Sequence, residues 1–540
     1  MPKTQSDSNI KSLFKELYVF GDSLNDYGSY AAYVQKMLLA PTALPAWSGV
    51  TFSNGNPVSQ LDLRIRLGLT PPSVPAPNPA LPDPYYLLAN PYVASPGLGT
   101  EGGPSFAIGG ASSGTESVYD VLEVPDPSTG SEVPLATLLP ELANTGVQNQ
   151  IRAALAQGVK PSSKQLTLLQ GGANDLLIAE ILENPDITGV MEQVMTNMRE
   201  NLTVALRSMG CRQLLTFALA DFQGVVDGVS YQMPFLTGIL DEASAADAPA
   251  WLEPWKAFVD SGGLQKFQRN YKQEVADIAR QFPYAAVIYY SPEFGINWKL
   301  YGGKLGDFSS YGINNTLSYA QNGNEPLSTS ETDSFLYFDT IHNTSSGQAM
   351  TAKAMALTLK ANAATIQSAQ LDARKVGNDR PNVLTAGRAD TELIGRGADD
   401  LLSGQSGNDA LSGDSGSDRL RGKAGNDWIS GGRNSDVLTG GEGADFYSYQ
   451  REDCRAAWRD LITDFDGQAG DRLGLTAILD GKNPFKNPGW TFIKAAPFSG
   501  SGPELRFQNG WLLGDADGDA EADLRIRLEG VTSFDPHWIS

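Results

Sequence analysis

The chain has 540 residues, and 40 basic residues against 62 acidic ones give it a formal charge of -22 at pH 7. That length exceeds one ordinary domain and can bury at least one sizeable core. The negative balance excludes nucleic acid and anionic membrane surfaces as electrostatic partners and favours cations, and two cysteines as far apart as Cys211 and Cys454 do not make a disulfide framework.

The opening MPKTQSDSNIKSLFKELYVF has neither an apolar core of signal-peptide length nor a small-residue cleavage site. No window approaches the roughly 18 apolar residues of a membrane helix, so neither a Sec-type leader nor a transmembrane segment is expected. From Leu17 to Thr365 short apolar runs alternate with amphipathic periods. LYVF at 17–20, QLTLL at 165–169, QLLTFAL at 213–219 and AVIYY at 286–290 read as strands. Between them Val190, Val194, Met198, Leu202 and Leu206 form a helical stripe that stops at Gly210, and Phe267, Tyr271, Val275, Ile278 and Phe282 form another. Strands and helices at this spacing predict an α/β domain with a mainly parallel sheet and helices on both faces. Two stretches interrupt the pattern: the proline-rich TPPSVPAPNPALPDPYYLLANPY from Thr70, and YQMPFLTGIL from Tyr231, which is apolar without a clean period. Each reads either as a wall of a substrate pocket or as surface packing.

Past Thr365 the composition turns to Gly, Asp, Asn, Ser and Arg, and the chain repeats in nines from Gly377 to Ser448. The sixth place holds Asp400, Asp409, Asp418, Asp427, Asp436 and Asp445; the eighth holds Leu402, Leu411, Leu420, Ile429, Leu438 and Tyr447. The first two of the eight units lack the Asp and read as a cap. One apolar residue in nine cannot build a core alone, but stacked coils bring these residues into one buried file. The turns then stack as well, and glycine carbonyls with one carboxylate per turn offer an all-oxygen cage suited to calcium. A flexible Gly/Asp-rich linker explains neither the phase nor the apolar eighth place.

The repeat resembles the calcium-binding nonapeptide repeats, G-G-x-G-x-D-x-U-x, of the RTX proteins. The following DLITDFDGQAGDRLGL from Asp460 and GDADGDAEADLRIRLEGV from Gly514 are similar to the C-terminal region of RTX exoproteins. The resemblance implies a parallel β-roll with structural calcium and a β-rich cap. It also implies uncleaved export from a Gram-negative cell through a type I channel, and folding outside the cell. Asp515, Asp517 and Asp519 read either as one more calcium site or as an exposed acidic turn.

Catalytic candidates begin with Ser23 in YVFGDSLNDYG. A nucleophilic serine needs a base, and the chain has two histidines. His537 lies near the end of the chain and reads as a surface residue. His342 follows Asp339 by three residues in FLYFDTIHNTSSGQAM, just before a helix opened by Ser345 or Ser346, and an Asp so placed can orient the imidazole.

FGDSLNDYG, SFAIGGA at 105–111, GGANDLL at 171–177 and DTIH at 339–342 resemble, in order and spacing, the blocks of the GDSL (SGNH) lipases and esterases, over about residues 14–365. FSNGNPV from Phe52 and LRSMGCRQLLTFALADFQGV from Leu206 are similar to that family too. The resemblance implies a three-layer α/β/α domain with Ser23 as nucleophile, Gly109 and Asn174 as oxyanion donors, His342 as base and Asp339 as its orienting acid. Ser105 stands where the family often has Asn, and Asn343 where Pro is common. GGASSG offers a competing G-x-S-x-G elbow at Ser112, with Asp339 and His342 following in the right order, but that elbow needs a firm strand before it and a helix after it.

The resulting expectation is a hydrolase domain over 14–365, a linker over 366–376, the calcium roll over 377–448 and a cap with the secretion region over 449–540. Its function is read as a secreted carboxylic ester hydrolase acting on lipid-like or acyl esters, with calcium structural and no cofactor for catalysis. The alternative is an exported surface or adhesion protein whose hydrolase-like domain is catalytically silent.

Overall fold

A computed structural model describes residues 10, 13–21, 59–69, 107, 111–126, 128–138, 143–156, 159, 161, 163–219, 222–282, 285–318, 335–337, 344–370, 373–455, 457–475, 478 and 489–539. Two compact units emerge: one drawn from 1–202, 213–276 and 287–364, the other from 203–212, 277–286 and 365–540.

In the first unit the four predicted strands form one sheet in sequence order: β1 (Glu16–Phe20), β2 (Gln165–Gly171), β3 (Gln213–Ala218) and β4 (Ala286–Tyr289). β1 runs parallel to β2, with Val19 opposite Leu168, and β2 parallel to β3, with Leu168 opposite Leu215. Every residue of β3 and all but the first of β2 are buried, which is why both read as unbroken apolar runs rather than alternating ones. Six helices are used below: α1 (Ser59–Leu67), α2 (Val147–Ala156), α3 (Ala173–Ile181), α4 (Ile187–Arg207), α5 (Gly263–Gln281) and α6 (Ser345–Ala361). The predicted stripes are the buried faces of α4 and α5: Val194, Met198, Leu202 and Leu206 on one, Phe267, Tyr271, Val275 and Ile278 on the other, each buried. A side chain of this size contributes about 1.5–3 kcal/mol when removed from water. The cap of α6 is Thr344, whose hydroxyl accepts the Gly347 N–H, rather than either following serine. YQMPFLTGIL resolves into the second strand of a hairpin (223–226 with 229–232) and a helix, Pro234–Ala243, with Pro234 in its first turn. The proline-rich stretch from Thr70 and residues 338–343 lie outside the described residues.

The second unit is a roll of stacked coils, each of two nonapeptides. Even nonapeptides feed a six-stranded sheet and odd ones a nine-stranded sheet, and the repeat strands pair in parallel within each. Within each sheet a residue pairs with the one eighteen positions on, so Leu393, Leu411, Ile429 and Tyr447 lie in register on one side, and Leu384, Leu402, Leu420 and Leu438 on the other. Among these, the residues from Leu393 to Tyr447 and from Leu402 to Leu438 are fully buried. The sheets continue past the repeats through Asp460–Ile462 and Arg472–Gly474. The larger sheet then adds an antiparallel meander of 504–508, 511–515 and 524–528. Also within this unit, Arg212 Nε donates to Ala369 O at 3.2 Å, and the Phe282 and Phe446 rings lie 6.0 Å apart. Neither Cys211 nor Cys454 forms a disulfide. Among the described residues no helix is long and apolar enough to cross a membrane.

Candidate metal centre

The turns of the roll alternate in backbone hand. The second place of each unit (Arg396, Gln405, Asp414, Lys423, Gly432, Gly441) and the fourth (Ala398, Gly407, Gly416, Gly425, Asn434, Gly443) have positive φ. Such a backbone reverses the chain tightly, at no steric cost where the residue is glycine. The sixth-place carboxylates lie against the first-place glycines of these turns.

All six aspartates are buried, none more than 3% exposed. One oxygen of each has a fixed task, accepting the N–H of the sixth-place residue one coil earlier: Asp400 from Asn382, Asp409 from Thr391, Asp418 from Asp400, Asp427 from Asp409, Asp436 from Asp418 and Asp445 from Asp427, at 2.7–2.9 Å. The other oxygen, Oδ2, is buried in all six and takes no hydrogen bond among the described residues. Burial pushes the carboxyls up, to about 6 for Asp418, about 7 for Asp409 and Asp427 and about 8 for Asp436 and Asp445; neighbouring carboxylates add to this and the ladder N–H groups oppose it. Asp400 shifts upward for the same first reason.

These orphan oxygens converge on the first-place glycines. A β-carbon built on Gly404 would meet Asp409 Oδ2 and, at 2.7 Å, the Gly422 carbonyl of the next coil; on Gly422 it would meet Asp427 Oδ2 and the Gly440 carbonyl. Gly395 and Gly413 repeat the pattern with Asp400 and Asp418. Each cradle is a small space edged by one unsatisfied carboxylate oxygen and one carbonyl. An all-oxygen, negatively charged donor set of this kind fits a hard divalent cation such as calcium, and the unsatisfied buried oxygens are what such an ion would complete.

The ladder does not stop with the repeat. Asp436 donates its N–H to Asp460 and Asp445 donates to Asp471, both at 2.9 Å, and burial raises these carboxyls to about 7 and about 6. Sequence reasoning passed over both, because they follow their partners by 24 and 26 residues instead of 18. The signal was present: Asp460-Leu461-Ile462 and Asp471-Arg472-Leu473 reproduce the acid and apolar places of the repeat. A second ladder, also unforeseen, runs the opposite way at the fifth place, from Asn408 N to Asp390, Ser417 N to Asp399 and Asn426 N to Asn408, at 2.7–2.8 Å. In the cap the acidic trio is corrected in one member. Asp515, Asp517 and Asp523 bring oxygens within 4.8 Å of one another, whereas Asp519 accepts the Glu521 N–H.

In the first unit, Asn174 lies in the first turn of α3, directly after β2. Gly172, between them, has φ +106, and a β-carbon there would meet Val194 at 2.8 Å. Asn174 is 6% exposed and donates from Nδ2 to Ala111 O at 3.0 Å. Its second amide hydrogen takes no partner among the described residues. The next residue, Asp175, accepts both the N–H and the hydroxyl of Ser113, each at 2.7 Å. Asn197 and Asn201 hold the same serine from α4, through its hydroxyl and its carbonyl. Burial raises the Asp175 carboxyl, with the Ser113 bonds opposing it. On the β1 side, Gln150 of α2 clamps the backbone of Gly21 with both amide atoms, at 2.9 and 2.8 Å. Arg64 of α1 donates to Leu17 O at 2.8 Å. Ser23, Gly109, Asp339 and His342 lie outside the described residues. The competing Ser112 is 4% exposed, donates to Glu116 O at 2.7 Å and is followed by a bend instead of a helix, so it lacks the setting of a nucleophile elbow. His537 is exposed and pairs through Nδ1 with Asp535 at 2.8 Å.

Comparison with known proteins addresses the roll. Residues 376–411, 385–420 and 412–447 match the RTX calcium-binding nonapeptide repeat (4 copies). No curated protein matches the chain. Among solved structures, a subunit of the mannuronan C5-epimerase of Azotobacter vinelandii is 24% identical, covering 32% of this chain and 83% of its own, with a TM-score of 0.18. The roll is thus a calcium-binding repeat region, and calcium is its structural cofactor.

Proposed function

We propose that this chain is an exported serine ester hydrolase whose roll holds structural calcium. The observation that carries the calcium half is the row of six buried Asp Oδ2 atoms without a hydrogen bond, each beside a first-place glycine. When bound, calcium supplies the positive charge that these carboxylates otherwise lack. The RTX repeats also support export of the type I kind, through the chain's own C-terminal region.

The hydrolase half rests on the four sequence blocks and on Asn174, whose amide is buried, fixed by Ala111 O and has a second N–H that takes no partner among the described residues. A donor held this way before substrate arrives costs no reorganisation when negative charge develops on a carbonyl oxygen. In this reading Ser23 attacks an ester carbonyl, and His342, oriented by Asp339, takes the hydroxyl proton and returns it to the leaving alcohol. Asn174 and the N–H groups of Gly109 and Ser23 stabilise the oxyanion, and water releases the acyl group by the same base. The apolar stretches near Thr70 and Tyr231 favour a lipid-like or acyl ester.

The test is a fluorophosphonate probe on the intact calcium-loaded chain and on Ser23→Ala, followed by a chain-length series of nitrophenyl esters with a phospholipid alongside. Labelling and turnover that vanish in Ser23→Ala support the proposal. A native chain that neither labels nor turns over any ester is the silent-domain alternative.

A further inference from the structure

The last coil departs from the rest of the roll at one point. Along one edge the first-place glycines Gly404, Gly422 and Gly440 succeed one another, and the register of Val437 with Leu461 and Leu438 with Ile462 puts Asp464 where the next glycine would stand. Its side chain turns back onto the preceding turn: Oδ1 accepts the Gly440 N–H at 3.0 Å and Oδ2 the Gly441 N–H at 2.9 Å. The Tyr447 hydroxyl donates to Asp464 Oδ1 at 3.3 Å and lies 2.5 Å from the place a β-carbon on Gly440 would take, beside Asp445 Oδ2. Asp445 is 1% exposed, and its Oδ2 takes no hydrogen bond among the described residues. At Gly404 and Gly422 on the same edge the corresponding space is edged by one aspartate oxygen and a glycine carbonyl; here a second carboxylate and a phenol oxygen gather round it.

We infer that Asp464, from outside the repeats, joins Asp445 and the Tyr447 hydroxyl in a terminal calcium site at Gly440. It deepens the calcium reading of the roll and rests on it. Two carboxylates at one point repel each other more than one beside a carbonyl, and calcium affinity rises with the number of charged ligands. The terminal site is therefore the tightest of the row. It fills first and ties the last coil of the repeats to the segment that follows them.

Equilibrium dialysis of the full chain against radioactive calcium tests this, with Asp464→Asn and Tyr447→Phe alongside the native protein. Asp464→Asn is expected to bind one ion fewer, and Tyr447→Phe to keep the count while its tightest class weakens about tenfold. Unchanged stoichiometry and affinities in both variants overturn the terminal site and leave Asp464 as a cap for two glycine amides. Should Asp464→Asn stay unfolded in saturating calcium, Tyr447→Phe decides: an unaltered tightest class overturns the site. A native chain that binds no calcium sinks the reading of the whole roll instead.

Discussion

Asp175, half-buried, and Asp418, buried, are both acids held by hydrogen bonds, but they answer to different partners. Asp175 spends both oxygens on Ser113, so in Asp175→Asn one of those two acceptors becomes an NH2 donor and one Ser113 bond is lost. That change is expected to cost about 2 kcal/mol, read as a lower urea midpoint. Asp418 spends only Oδ1 on the protein. Asp418→Asn can keep that bond and lose the charge, so two effects of opposite sign follow. Without calcium the variant is as stable as the native chain or about 1 kcal/mol more stable, since a buried charge is gone. With calcium it is about 2 kcal/mol less stable. Parallel melts in chelator and in calcium check this, and equal loss in both would make Asp418 a ladder residue alone. The six aspartates were legible because a fixed period separates signal from composition. Asp175 was not, because an acid in the first turn of a helix already has a use there and nothing local announces Ser113.

At the level of elements, the four sheet strands were readable as apolar runs between Gly, Pro or Asp, and α4 and α5 as stripes at helical spacing. The 223–232 hairpin was missed although Asp227-Gly228 between two apolar runs is its usual turn signal; the long helical patterns on either side drew the reading away from it. Turn chemistry in the roll is graded by position. Gly425 has φ +130, and a β-carbon there would collide with the Gly407 carbonyl one coil back. Lys423 has φ +84 with an exposed side chain. Gly425→Ala is therefore expected to destabilise the calcium-loaded roll by about 3 kcal/mol or more, whereas Lys423→Gly is neutral or stabilising by up to about 1 kcal/mol. Thermal unfolding followed by the strand signal in circular dichroism distinguishes them, and equal effects at the two places would refute the grading.

For the whole molecule, pH and calcium act on the same oxygens. Without calcium, the fold holds protons on Asp409, Asp418, Asp427, Asp436, Asp445, Asp460 and Asp471 up to about pH 6–8, where the unfolded chain has lost them near pH 4. A raised acid stabilises the fold below the unfolded value, and that contribution is lost as pH rises through the folded one. The calcium-free chain should thus melt at a lower temperature at pH 8 than at pH 5.5, and the negative total charge works in the same direction. Calcium must displace these protons to bind. Adding it to weakly buffered protein at pH 6.5 is expected to acidify the solution while raising the melting point. A melting point independent of pH in chelator, or calcium uptake without proton release, would show that the carboxylates are already ionised in the empty roll.

The strand pairing at eighteen residues sets how such a chain can change length. Removing one nonapeptide would send every later strand to the opposite sheet and every later carboxylate to the opposite edge, while removing two returns each residue to an equivalent seat. Insertion and deletion are therefore quantised in whole coils through the body of the stack. The exceptions fall at its last coil, where Asp436 and Asp445 reach partners 24 and 26 residues away and extra residues displace no strand beyond them from its sheet. New length enters the roll in eighteens, or it enters at the end.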